Sequence, residues 1–170
     1  MEKEQIETVI CKYSDMLYRL ALMRTGNSAE AQDIVQQTFL KLLEHNACPD
    51  SGEHMKAWLI RVCCNLCTNL SRNPWKVRRV RMEMIQEETS ETITTEDKIF
   101  EQLKKEVLWQ EVFRLPEKDR TVLHLHYMEE YSIAEIAELL KISYNTVCVR
   151  LNRAKKRLAK HLNKEDFWNE

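Results

Sequence analysis

The sequence has few residues that turn a chain sharply, with two glycines and three prolines in 170 positions. Sheet-rich folds and glycine-cradled nucleotide sites need more of them, so both are disfavoured. No apolar run reaches the roughly 18–20 residues that span a bilayer. Residues 1–5 lack the apolar segment of a signal peptide. The sequence therefore predicts a helical protein of the cytoplasm, with 44% hydrophobic residues to build its core.

Six cysteines are present, but their spacing does not favour a metal site. Cys64 and Cys67 form one CxxC pair without a second pair, and no histidine lies at zinc-finger spacing from it. Free thiols are the default in the cytosol, so we predict no metal and no cofactor. A redox or metal enzyme that uses Cys63, Cys64 and Cys67 is a rival hypothesis, weakened because thiols within one helical turn cannot all face one site. A thiol-based sensing role stays open.

Charge is strongly segregated along the chain, although the net charge is only −1. Residues 72–81 hold five basic residues and no acidic one, and residues 150–164 hold seven basic residues and no acidic one. Between these runs, residues 82–106 hold eight acidic and three basic residues. Two basic runs without acids are the electrostatic footprint of a polyanion, which indicates a nucleic acid ligand.

Apolar residues recur at intervals of three and four along most of the chain, which predicts an all-α protein. We expect helices over about 3–24 and 28–45, a loop at 46–54, and a third helix that ends near Asn73 and Pro74. The acidic segment has the composition of a flexible linker between two small helical domains. The expected division is residues 1–81, the linker 82–105, the second domain 106–164 and a tail 165–170.

The second domain has the plan of a helix-turn-helix. Ser132 to Glu135 form a capping box that opens a short helix to about Leu140, and residues 141–143 form a turn. Ser143 then caps a basic helix from Tyr144 to about Leu162. Arginine suits guanine and asparagine suits adenine in the major groove, so this helix is the candidate reader of duplex DNA. The alternative is an ordinary helical hairpin.

Two polar surfaces in the first domain are further candidates. The helix at 28–45 has a polar face around Asp33 and Gln36, which is either a solvated surface or a docking face for a protein. The third helix places Asn65, Asn69 and Arg72 on one side, next to the first basic run. Amides and guanidinium groups suit hydrogen bonding to bases and phosphates.

These motifs, taken in order, resemble a small bacterial sigma factor of the extracytoplasmic-function (group IV) class. Residues 31–42 (AQDIVQQTFLKL) resemble region 2.2, and residues 57–62 (AWLIRV), followed by Asn65 and Arg72, resemble regions 2.3 and 2.4. Residues 115–120 (LPEKDR) open a segment that resembles region 4. The resemblance covers nearly the whole chain.

The resemblance implies a non-catalytic subunit that binds core RNA polymerase and directs transcription initiation at specific promoters. It implies polymerase-binding residues at Asp33, Gln36, Gln37 and Phe39. It implies minus-10 contacts from Asn46, Asp50, Ser51, Trp58, Asn65, Asn69 and Arg72. It implies minus-35 contacts from Asn145, Thr146, Cys148, Val149, Arg150, Asn152, Arg153 and Lys156. The implied partners are core polymerase, promoter DNA and an anti-sigma factor, often membrane-anchored in this family, with no small-molecule substrate.

Four residues depart from the family pattern. Gln37 stands where glutamate is usual, and Cys64 stands where a basic residue is common. Asn69 stands where aspartate is frequent, although asparagine also occurs, and Cys148 stands where lysine or arginine is usual on the recognition helix. The departure at Cys148 bears on promoter preference. The rival reading within DNA binding is a stand-alone helix-turn-helix regulator, which would bind a palindrome as a dimer. The sequence shows no heptad pattern that would form such a dimer.

Overall fold

The computed structural model describes residues 3–44, 52–71 and 107–161. Within these ranges every regular element is a helix, which confirms the all-α prediction. The helices are α1 (Lys3–Thr25), α2 (Ser28–Glu44), α3 (Gly52–Ser71), α4 (107–114), α5 (Glu117–Tyr127), α6 (Ile133–Leu140) and α7 (Tyr144–His161). The expected linker and tail lie outside the described residues, as do Asn46, Asp50, Ser51 and Arg72.

The start of α3 differs from the sequence prediction. Residues 52–54 were expected in a loop, but the helix begins at Gly52. The Tyr13 hydroxyl donates to the Gly52 carbonyl at 3.1 Å, so a contact with α1 holds this first turn. Glu53 adds a negative charge where the helix dipole favours one. The loop prediction was wrong here because this tertiary contact has no signal in the local sequence.

Helix α1 lies at the centre of the fold, where it packs against α2, α3 and α5. Leu17 and Leu20 are fully buried and belong to the same apolar cluster as Leu59 of α3 and Leu125 of α5. The α1–α2 connection is short because Gly26 takes a left-handed backbone, with φ of 70°, at the end of α1. The Asn27 side chain then accepts from the Glu30 N–H at 2.9 Å and caps α2.

The turn between α6 and α7 is fixed by hydrogen bonds at both ends. The predicted capping box is present, with the Glu135 side chain 2.8 Å from the Ser132 N–H and the Ser132 hydroxyl 3.3 Å from the Glu135 N–H. Lys141 ends α6 in the left-handed region, with φ of 53°, where glycine is usual. The Ser143 hydroxyl accepts from the Thr146 N–H at 3.1 Å and starts α7. The predicted helix, turn and helix are therefore confirmed.

Candidate functional site

Helix α7 presents a polar outer face because its apolar residues point into the fold. Val147 and Ala154 are fully buried and Leu151 is 4% exposed. The outer face of α7 therefore consists of exposed and half-buried residues. The exposed members of the expected minus-35 set are Asn145, Val149, Asn152, Arg153 and Lys156. The half-buried members are Thr146, Cys148 and Arg150.

Arg153 is bound inside the protein as well as exposed at its surface. Its Nε donates to Asp119 Oδ2 at 2.6 Å and its Nη2 donates to Asp119 Oδ1 at 2.5 Å, a bidentate pair. Asp119 is fully buried in α5, and its carboxylate raises the pKa of Arg153. The arginine therefore fastens α7 to α5. Sequence reasoning gave Arg153 only a DNA contact and did not single out Asp119.

Replacing Asp119 with Asn should lower Tm by on the order of 5 °C, because the buried carboxylate that pairs with Arg153 becomes a neutral amide, which binds the guanidinium more weakly. Duplex DNA binding should also weaken, because α7 is held less firmly although Arg153 itself is unchanged. Lys118→Gln, at the exposed neighbouring position, is the control for both measurements. Thermal melting and a DNA titration that leave Asp119→Asn at wild-type values would show that the pair does not position α7.

Helix α2 exposes a mixed polar and apolar face. Asp33, Gln36 and Gln37 are exposed, and Leu40 and Leu43 beside them are 56% and 51% exposed. An apolar patch rimmed by polar groups is typical of a protein interface. The spacing of apolar residues in this helix predicts Leu43 on its buried side next to Leu42, and that prediction is wrong.

Phe39 lies apart from the rest of the expected polymerase-binding set. It is 7% exposed and belongs to the main apolar cluster, whereas Asp33, Gln36 and Gln37 face outward. Its ring packs α2 onto the core.

A groove runs between α2 and α3 and joins two of the expected sites. Its volume is about 150 Å³, and its lining includes Asp33 and Gln37 of α2 and Asn69 of α3. Asn65 and Asn69 are both exposed and lie one helical turn apart on α3. Trp58 is half-buried and packs against the core. The structure thus brings the exposed α2 face and the two asparagines to neighbouring surfaces.

Three of the cysteines are packing groups of α3. Cys63, Cys64 and Cys67 are 0%, 5% and 3% exposed, and burial raises the pKa of Cys64 to about 11. A hydrogen bond between the Cys63 and Cys67 side chains raises the pKa of Cys63 and lowers that of Cys67. Leu66 and Leu70 of the same helix are half-buried and pack against the core beside them.

The described residues contain no group of three or more histidine, cysteine, aspartate or glutamate side chains placed to hold a metal ion. None of their helices is both long and apolar enough to cross a membrane.

Comparison with known proteins gives matches to both halves of the chain. Residues 9–77 match sigma-70 region 2, and residues 106–158 match sigma-70 region 4. The ECF RNA polymerase sigma factor SigW of Bacillus subtilis is 27% identical over 169 residues, which cover 95% of this chain and 90% of that protein. The ECF RNA polymerase sigma factor SigL of Mycobacterium tuberculosis is 31% identical over 144 residues, which cover 84% and 80%.

Solved structures agree with this match at the level of the fold. The sigma factor RpoE from Bartonella quintana, solved with the anti-sigma factor NepR, gives a TM-score of 0.69 at 17% identity. The match covers 92% of this chain and 96% of that one.

An α-helical body that matches sigma-70 regions 2 and 4 in order, and that presents a helix-turn-helix, defines an RNA polymerase sigma factor. The chain belongs to the extracytoplasmic-function (ECF) sigma factors. It directs promoter-specific initiation of transcription by RNA polymerase.

Proposed function

We propose that three separate surfaces of this sigma factor divide the work of initiation. The outer face of α2 binds core polymerase, α3 captures the minus-10 element, and α7 reads the minus-35 element. The observation that carries the proposal is the exposed α2 face, where Asp33, Gln36 and Gln37 surround Leu40 and Leu43. The chain supplies binding energy and performs no chemistry of its own. RNA synthesis is carried out by the polymerase, in the cytoplasm.

The minus-10 surface is proposed to hold an unpaired base against α3. The exposed amides of Asn65 and Asn69 can both donate to and accept from a base edge. Extruding a base costs a few kcal/mol of unstacking, which these contacts would offset. Trp58 supports α3 from its half-buried position. The remaining proposed minus-10 contacts, from Asn46, Asp50, Ser51 and Arg72, lie outside the described residues.

The minus-35 surface is proposed to be the outer face of α7 in the major groove. Asn145 and Asn152 are exposed and can read adenine, and Arg150 can reach guanine or phosphate. Val149 is 58% exposed and can contact a thymine methyl group. Lys156, further along α7, suits the phosphate backbone.

Replacing Lys156 with Gln should weaken duplex binding equally on specific and random sequences. One lost phosphate contact reduces the slope of log affinity against log salt by about 0.9. Asn145→Ala should instead weaken the specific site alone and leave the salt slope unchanged. Titrations at several salt concentrations separate the two. A Lys156→Gln variant with the wild-type slope would place Lys156 outside the DNA contact.

We also propose that an anti-sigma factor regulates this chain. The support is the family membership and the likeness in fold to RpoE, which was solved with the anti-sigma factor NepR. The exposed α2 face is a surface for which such a protein could compete with polymerase.

A pull-down with bacterial core RNA polymerase tests the central proposal. The wild-type chain should be retained, and Asp33→Ala combined with Gln36→Ala should lose most of that retention, because both side chains lie on the proposed docking face. Glu7→Ala together with Asp15→Ala is a control of equal size at exposed positions of α1, outside the α2 face.

The outcome also separates the two readings of the DNA-binding half. If polymerase does not retain the wild-type chain while duplex DNA still does, the chain acts as a stand-alone helix-turn-helix regulator. If the double variant is retained as well as wild type, the polymerase contact lies elsewhere on the surface.

A further inference from the structure

Helix α3 carries three thiols within five residues, and two of them are in contact. Cys63 and Cys67 are four residues apart, so their side chains lie on the same face of the helix, one turn apart. Both are free thiols, 0% and 3% exposed, and their side chains are hydrogen-bonded to each other. Neither has a part in the proposed polymerase or DNA contacts. The helix whose outer side is proposed to bind the minus-10 element therefore has a pair of nucleophilic groups on its inner side.

The groups around the two thiols make them chemically unequal. Cys63 donates the hydrogen bond and Cys67 accepts it, which raises the pKa of Cys63 and lowers that of Cys67. The positive charge of Arg24 also lowers the pKa of Cys67, against burial and the negative charge of Glu117. Arg24 is held at this place by its own hydrogen bond to the Thr68 hydroxyl, at 3.0 Å. Cys67 is therefore the more nucleophilic thiol, and Cys63 stays protonated beside it.

Cys67 is also the thiol that a small oxidant reaches first. Helix α3 ends at Ser71, so Cys67 lies one turn from a helix end, where local opening costs little free energy. Cys63 lies one turn deeper, and its Sγ is 4.0 Å from the carbonyl oxygen of the fully buried Leu17. A peroxide is small enough to enter when the last turn opens, and it then meets the more nucleophilic thiol.

Cys64 is the rival partner for Cys67, three residues before it in the chain. The Cys64 side chain is hydrogen-bonded to Arg24, whereas that of Cys63 is hydrogen-bonded to Cys67 itself. Burial also raises the pKa of Cys64 to about 11. The contacts therefore pair Cys67 with Cys63 and not with Cys64.

We propose that Cys63 and Cys67 are a peroxide-sensitive dithiol, whose oxidation to a disulfide distorts α3 and switches off its binding to the minus-10 element. The inference rests on the proposed function of α3. It assigns a use to two thiols that otherwise only pack, and it names a peroxide as the oxidant.

The reaction needs one peroxide for each pair of thiols. The Cys67 thiolate attacks one peroxide oxygen, the O–O bond breaks, and the other oxygen leaves and takes up a proton, so Cys67 becomes a sulfenic acid. The Cys63 sulfur then attacks the sulfenic sulfur, an S–S bond forms, and the departing hydroxide takes the Cys63 proton as water. With hydrogen peroxide, two thiols are oxidised and the peroxide is reduced to two water molecules.

Closing this disulfide must change the shape of α3. In a regular helix the Cβ atoms of residues four apart are about 5–6 Å from each other, whereas a disulfide needs about 3.8 Å. The turn between Cys63 and Cys67 must therefore tighten or unwind. Asn65 lies within that turn, and Asn69 lies two residues beyond it. Both amides then lose the positions from which they are proposed to hold an unpaired base.

Mass spectrometry of the full-length chain tests for the bond. The chain is treated with hydrogen peroxide, unfolded in the presence of an alkylating reagent and cut with trypsin, which gives one peptide, 62–72, with all three thiols. The untreated peptide should carry three alkyl groups. The treated peptide should carry one, on Cys64, and should have lost two hydrogen atoms. Three alkyl groups after treatment, or a single group on Cys63, would overturn the proposed pair.

Transcription by the holoenzyme tests the consequence of the bond. The chain is oxidised, freed of peroxide and then added to core polymerase, so that only the sigma factor is modified. Core polymerase should still retain the oxidised chain, because the proposed docking face lies on α2. The transcript yield should fall about tenfold or more, since each lost base contact weakens binding about tenfold. A dithiol reductant should restore the yield.

Two alanine variants separate the disulfide from general oxidative damage. Cys67→Ala cannot form the bond and should keep its transcript yield after peroxide. Cys64→Ala is the matched control, since this cysteine is also buried in α3, and it should lose yield as wild type does. Equal losses in the two variants, or full transcription by a wild-type chain that contains the disulfide, would overturn the switch. The mass measurement on wild type decides about the bond even if a variant does not fold.

A further variant tests the proposed function on which the switch depends. In the untreated chain, Asn69→Ala should lower the transcript yield, because it removes one of the two amides proposed to hold the base. If this variant transcribes like wild type, the proposed role of α3 is wrong and the switch fails with it. The Cys63–Cys67 bond would still be detected in that case, so the two failures are distinguishable.

Discussion

Replacing Arg24 with Met should lower the free energy of unfolding by about 3 kcal/mol. Methionine keeps most of the apolar stem, so the lost stability reports the guanidinium. Its removal leaves the Glu117 carboxylate, whose side chain is 27% exposed, without its cation. It also takes a donor from the hydroxyls of Thr68 and Thr121. An uncompensated charge near the interior costs more than a lost surface ion pair.

Urea unfolding of the full chain measures this change. Arg114→Met is the matched control, because it removes an exposed arginine that pairs with Glu111 one turn away in the same helix. Its effect should stay under about 1 kcal/mol. A loss in the Arg24 variant no larger than in this control would mean that the contacts at Arg24 add little to stability.

Acid should destabilise the fold through His124. The ring is 2% exposed, and neither ring nitrogen has a hydrogen-bond partner among the described residues. Burial lowers the pKa of His124 to about 4, and the nearby positive charge of Arg19 acts in the same direction. Glu129 Oε1 lies 3.7 Å from Nε2, which is too far for a hydrogen bond. The folded chain therefore keeps this histidine neutral.

The direction of the pH effect follows from the pH at which the folded chain and the unfolded chain each protonate His124. An unfolded histidine has a pKa of about 6.5, so the unfolded chain binds a proton at a higher pH than the folded one. The contribution of neutral His124 to the free energy of unfolding is complete above about pH 6.5. It is lost as pH falls towards 4, by about 3 kcal/mol at 1.36 kcal/mol per pKa unit. Unfolding free energies measured by urea from pH 7 to pH 4.5 should show this fall.

His124→Gln supplies the comparison, because glutamine stays neutral throughout this range. The variant should lose most of the pH dependence between 6.5 and 4.5. His54→Gln, at an exposed position of α3, should keep it. If His124→Gln follows the wild-type curve, the acid sensitivity arises from other groups.

Much of the helical plan could be predicted because its signals are local. The capping residues Asn27, Ser132 and Ser143 all accept the expected backbone N–H groups. The start of α2 and both ends of the turn before α7 follow directly from them. The exposed asparagines of α3 and α7 were also predicted, since polar spacing on an amphipathic helix shows which side faces water.

Contacts between distant parts of the chain could not be predicted. Arg24 and Glu117 are far apart in sequence, and the residues next to each give no signal that the two are in contact. The same applies to Asp119, whose pairing with Arg153 gives that arginine a structural task. The DNA and polymerase roles of individual residues remain predictions from resemblance.

The division of α7 into a buried and an exposed row has a consequence for how such proteins diversify. Val147, Leu151 and Ala154 anchor the helix, and the outward row of Asn145, Val149 and Asn152 contributes little to that anchoring. After gene duplication, the residues of the outward row can therefore be substituted while α7 stays packed on the fold. The same exchange can be engineered. Substituting a few exposed residues of α7 would give sigma factors that each read a different promoter on one unchanged fold.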